Sequence, residues 1–114
     1  MTEYCMIFTT VDDAQQVRKI TDALLSTRAA ACVQIIPVGS KYHWKGNIES
    51  SPELLLQIKT RTALFAQCEK IIRENHGYET PQIIAIPIIA GGRDYLDWIK
   101  KETTETRERK IKKG

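Results

Sequence analysis

His76, Tyr78 and Glu79 fall within four positions of one another, directly in front of the almost wholly apolar run 82–89. An imidazole and a carboxylate at a helix-to-strand turn can ligate a divalent cation such as Cu²⁺ or Zn²⁺. One His and one carboxylate make only a partial site, which needs ligands from elsewhere or from another chain. The same trio can instead serve the fold. His76 can close a helix C-terminus, where a cation is favoured, Tyr78 can bury its ring, and Glu79 can pair with a Lys or Arg. Tyr42 and Trp44 alternate along a second stretch, where they can stack a ligand or pack between sheets or subunits. Lys59 can pair across strands with Glu79 or Glu49, or point to water.

No other chemistry is visible. The chain has two histidines, His43 and His76, neither beside a nucleophile at a catalytic spacing, so no enzyme is expected. GxGxxG, GxxxxGK[ST] and HExxH are absent, which removes support for phosphate loops and helix-borne zinc sites. Gly91-Gly92 could expose backbone N–H groups to an anion, but a permissive turn explains the pair as well. Cys5, Cys32 and Cys68 are odd in number and widely spaced, a pattern that fits thiols in a reducing cytosol. No secretion-type leader and no apolar run near the roughly 20 residues of a membrane span is present, so a cytoplasmic protein without membrane contact is expected.

The net charge of +3 is local. Residues 105–114, ETRERKIKKG, hold five basic and two acidic groups, which accounts for all of it and leaves the body neutral. A neutral body argues against a dedicated nucleic-acid surface, because phosphate affinity draws on concentrated positive charge. The tail is expected to be disordered, and residues 1–104 to form one domain.

The elements that must position these residues follow from periodicity. YCMIFTT (4–10) is β-rich, and Asp12 with Gln15 offers a capping box for an amphipathic helix over 13–28, striped by Val17, Ile20 and Leu24. AACVQIIPV (30–38) is a strand whose Pro37 suggests an edge, a bulge or a bend. From 40 to 60 the period is two. Tyr42, Trp44 and Ile48 are assigned one face, Leu54, Leu56 and Ile58 another, and ESSPE the turn between two arms longer than a small sheet requires. Thr62 can cap a second helix, with Gly77 placed to end it. A strand over 82–89 follows, then a short helix capped by Asp94 with Tyr95, Trp98 and Ile99 inward. Two split βαβ units of this order predict an α+β ferredoxin-like βαββαβ sandwich, with an extended hairpin and a C-terminal helix.

The stretches AACVQIIPVGSKYHWKGNIE, LLLQIKT, HGYETPQIIAIPI and YLDWI resemble, in order, the signature stretches of the CutA family, the divalent-cation tolerance proteins. The likeness runs from Tyr4 to about Glu102. It implies a homotrimer of ferredoxin-like subunits, with the hairpins joining neighbouring sheets, and a role in tolerance to copper and other divalent cations. It also implies that a Cys at the end of the first strand and a His pair before the Tyr-Glu motif are copper ligands; here those positions carry Thr9, Asn75 and His76. Gly77 stands where the family's HPYE has Pro. The expected metal site is therefore weak or partial, centred on His76, with Glu79 or Cys5 as helpers. Tyr42, Trp44, Lys59, Tyr78 and Glu79 are expected around an inter-subunit cleft. The alternative expectation is a PII-like trimeric sensor that holds a small anionic ligand in that cleft.

Overall fold

The computed structural model describes residues 2–104; the basic tail 105–114 lies outside the described residues. Alternation builds the sheet. Along β1 (Tyr4–Val11) every second side chain is buried, and Cys5, Ile7, Thr9 and Val11 form one face. β1 pairs antiparallel with β3 (Asn47–Arg61), which pairs in turn with β2 (Cys32–Trp44). β4 (Ile84–Pro87) lies on the other side of β1, so the order is β2-β3-β1-β4. Together with its helices this is the α+β βαββαβ arrangement expected from the order of the elements.

Helices α1 (Ala14–Ser26) and α2 (Phe65–Asn75) cover one sheet face. Val17, Ile20 and Leu24 of α1, with Cys68 and Ile72 of α2, pack on Ile7, Val11, Leu56 and Ile58. Each large aliphatic side chain buried this way contributes about 1.5–3 kcal/mol of transfer free energy. The cap of α1 is Asp13 rather than Asp12: its carboxylate accepts from the Gln15 N–H at 2.8 Å. Thr62 opens a short 3-10 turn, and its hydroxyl donates to the Thr2 carbonyl instead of capping α2. α2 ends because His76 is extended, not through a left-handed Gly77.

The hairpin turn lies elsewhere than ESSPE. Trp44 pairs with Asn47, which leaves Lys45 and Gly46 as a two-residue loop, with φ of 49° and 83°. Positive φ at both positions is the type I′ geometry that matches the twist of paired strands. Pro52 is tolerated inside β3 because β1 reaches only to Leu54, so this part of β3 has a single neighbour, β2. Pro37 lies on β2, an edge strand, as its imino nitrogen requires. The register also corrects the face of Ile48: it pairs with His43 and so lies opposite to Tyr42 and Trp44.

The second sheet face carries Met6, Phe8, Leu55, Ile36, Ile84 and Ile86. α3 (Arg93–Glu102) packs at the Lys59–Arg61 end of β3, where the Arg61 Nε donates to the Thr103 hydroxyl at 2.9 Å. Ile99 is buried there, while Tyr95 and Trp98 stay 41% and 40% exposed and lie against each other, contrary to the inward placement expected of all three. No helix among the described residues is long and apolar enough to cross a membrane.

Candidate functional site

His76 leaves the end of α2 in an extended conformation, which turns its ring toward the end of β1. Its Nε2 lies 2.9 Å from the Thr10 carbonyl, and the Tyr78 backbone N–H reaches Nδ1 at 3.2 Å. A carbonyl only accepts and an amide N–H only donates, so Nε2 carries the ring proton and the Nδ1 lone pair faces Tyr78. Both nitrogens are engaged inside the chain. The next residue adds a third tie, as the Gly77 N–H donates to the Gln16 side-chain oxygen at 3.1 Å. A proline here could not make that bond, having no N–H.

Tyr78 packs its ring 4.7 Å from that of His76 and sends its hydroxyl to Glu53 Oε2 at 2.5 Å. Burial, and then the Glu53 carboxylate that accepts its hydrogen bond, hold the Tyr78 phenol well above its usual range, so it remains a protonated donor. Glu53 itself is 7% exposed. These two residues stand at the floor of an open cleft of about 880 Å³ between the hairpin and the loop after α2. Tyr42 and Trp44 line one wall, and Tyr78, Glu79 and Gln82 the other. At the rim, Glu79 pairs with Lys45 at 3.5 Å, both side chains 69% exposed, and the Lys45 ammonium lies 5.4 Å from the centre of the Trp44 ring.

The structure thus gathers His76, Tyr78, Glu79, Tyr42 and Trp44 in one region and leaves two expected residues out. Lys59 pairs with neither Glu79 nor Glu49; its ammonium sits 5.5 Å from the centre of the Tyr95 ring, beside α3. Cys5 lies five residues along β1 from Thr10, about 17 Å at the strand rise, against metal–ligand bonds of about 2.0–2.3 Å. It is also buried, and burial pushes its thiol up, away from the thiolate a metal needs. Cys5 therefore cannot complete a site at His76 within one chain. Glu53 was missed because a single acid beside Pro52 reads as turn chemistry, whereas the register places it on the cleft face.

A resident divalent cation does not fit these residues within one chain. His76 has no free lone pair while its two ties hold, and Asn75, whose amide N–H donates to the Ile71 carbonyl at 2.9 Å, offers only a weak, neutral amide oxygen. Among the described residues no three His, Cys, Asp or Glu side chains cluster to hold an ion. Thr9 offers only a neutral hydroxyl, fully buried on the helix-covered face and without a hydrogen-bond partner. An unsatisfied buried hydroxyl is destabilising, so Thr9→Val, which keeps the shape, is expected to stabilise the fold by about 1 kcal/mol. Chemical denaturation with an unchanged slope checks it; a loss of stability would show that the hydroxyl has a partner.

Fold and site together define a ferredoxin-like α+β fold with a protruding hairpin and an internally tied His-Tyr pair, with no nucleophile–base couple among the described residues. The sequence matches the family model of the CutA1 divalent ion tolerance protein over residues 5–102. The chain belongs to that family. It is 39% identical over 99 residues to the divalent-cation tolerance protein CutA of Thermus thermophilus, covering 86% of this chain and 96% of that one. The crystal structure of CutA1 from a psychrotrophic Shewanella, described there as a stable protein, superposes with a TM-score of 0.86 at 42% identity, covering 91% of this chain and 98% of that chain. The chloroplastic CutA of Arabidopsis thaliana is 36% identical over 86% of this chain, which spans only 54% of that longer protein.

Proposed function

We propose that the protein acts in divalent-cation tolerance as a non-catalytic homotrimer, the number three being what the family resemblance implies. The observation that carries this reading is the uncovered sheet face, on which Ile36, Ile84 and Ile86 are 38%, 47% and 39% exposed in the lone subunit. An apolar face of this kind marks an interface, and the hairpin, paired beyond β1 only with itself, leaves open strand edges that native proteins cover. The His-Tyr-Glu trio is a fastening at the mouth of the cleft, and cations are met weakly rather than stored at His76. For the rival anionic ligand the cleft is of mixed charge, with Lys41 lining it beside Glu53 and Glu79, so it offers no concentrated positive charge.

Equilibrium dialysis against Cu²⁺ tests the metal half of this reading. Wild type and His76→Ala are expected to take up the same small amount of copper, with His43→Ala as the comparison for an exposed imidazole. A loss confined to His76→Ala would make that ring a ligand and overturn the fastening role.

A further inference from the structure

Two thiols from distant parts of the sequence meet in the core. Cys5 on β1 lies directly opposite Thr60 on β3, on the helix-covered face. The Thr60 hydroxyl donates to the Ala29 carbonyl at 2.6 Å, and the Cys68 thiol of α2 donates to the same oxygen at 3.3 Å. Opposed side chains on one sheet face start about 5 Å apart, so both sulfurs flank the Thr60 side chain. The Cys68 thiol is pushed up to about 12, by burial first and then by Cys5, an electrostatic influence that falls with distance and so marks the two as neighbours. The pair lies inside one chain, between its own strands and α2, so an assembly through the open sheet face leaves it unchanged.

Either thiol alone would pack as a small hydrophobe. Together they offer two soft sulfur ligands at one place. The other buried members of this cluster are aliphatic, among them Ile7, Leu24, Ile58 and Ile72, and the Thr60 hydroxyl is a hard oxygen poorly matched to a soft ion. Structural zinc, which takes four ligands, is therefore not served. A soft d¹⁰ cation that accepts two ligands in line is served, since thiolates select soft metals.

Charge decides which ion. Each thiol exchanges its proton for a bond to the metal, RSH + HSR + Hg²⁺ → RS–Hg–SR + 2 H⁺, and with a divalent ion the product is uncharged. The burial that keeps each thiol protonated works against a bare thiolate but not against this neutral bridge. A monovalent ion would leave one negative charge in the core, where an unpaired charge is costly.

We infer that Cys5 and Cys68 form a two-coordinate site for a soft divalent cation, with mercury(II) its simplest occupant, which ties β1 to α2. The site is separate from the cleft at His76 and independent of how the chains assemble.

Mercury(II) chloride added to the full-length Cys32→Ser chain in oxygen-free buffer tests the inference, because that variant removes the remaining thiol. With the monothiol N-acetylcysteine present as competitor, one mercury per chain should be retained after desalting. The melting temperature should rise, since the bridge exists only in the folded state. Cys5→Ala and Cys68→Ala on that background should each lower retention at least tenfold. No retained mercury, retention unchanged by either alanine, or a melting temperature that fails to rise on uptake would each overturn it. Should the alanine variants fail to fold, the stoichiometry and the melting shift of the Cys32→Ser chain still decide.

Discussion

Ile86→Asp is expected to leave the protein monomeric while its subunit fold survives. Ile86 sits on the edge strand β4, opposite Met6, and shares the uncovered face with Ile84 and Ile36. In a lone subunit the side chain is already 39% exposed, so an aspartate there should change subunit stability by only about 0.5 kcal/mol. In an assembly that buries this face, the same carboxylate is left desolvated without a partner. A cost of roughly 3 kcal/mol or more per interface weakens association by more than a hundredfold. Sedimentation velocity should show the shift in mass, and far-UV circular dichroism an unchanged fold. A variant that assembles like wild type would mean that this face is not the interface.

His76→Ala is expected to destabilise each subunit by about 2 kcal/mol, because two partly buried backbone groups lose their partners at once. The Thr10 carbonyl loses its donor and the Tyr78 N–H its acceptor, and the ring contact with Tyr78 goes with them. The loop that carries Tyr78 is then held by fewer bonds, so the Tyr78–Glu53 hydrogen bond should loosen as well. Tyr78→Phe separates the two effects: it leaves the His76 ties in place and removes only the hydroxyl that donates to Glu53. Denaturant titration at fixed protein concentration reads both variants. If His76→Ala is as stable as wild type, the imidazole fastens nothing and its ring nitrogens are free for another purpose.

Period-two alternation in LLLQIKT placed Leu54, Leu56 and Ile58 on the helix-covered face, and the βαββαβ order followed from where helical and strand periods exchange. The hairpin turn was harder to see. Lys-Gly is a weaker turn signal than Ser-Ser-Pro, and only the pairing of Trp44 with Asn47 shows that Pro52 sits in an arm with one neighbouring strand. Since a register change moves side chains between faces, the same misplacement put Ile48 beside Trp44 and hid Glu53. The cluster of His76, Tyr78 and Glu79 was legible from its types and spacing. What sequence could not reveal is which atoms the imidazole meets, because Thr10 lies 66 positions away along the chain. Local turn chemistry has no bearing on such a contact.

Sedimentation equilibrium of the unmodified protein at low micromolar concentration, with a divalent-cation chelator present, addresses the proposed trimer and its independence of bound cations together. The uncovered face of Ile36, Ile84 and Ile86 and the self-paired hairpin predict an assembly, and the family resemblance implies its number, so a single species of three times the 13.0 kDa chain mass is expected, unchanged when the chelator is omitted. A monomer under both conditions, or an assembly that dissociates only when cations are removed, would contradict a trimer held by apolar faces and strand edges alone.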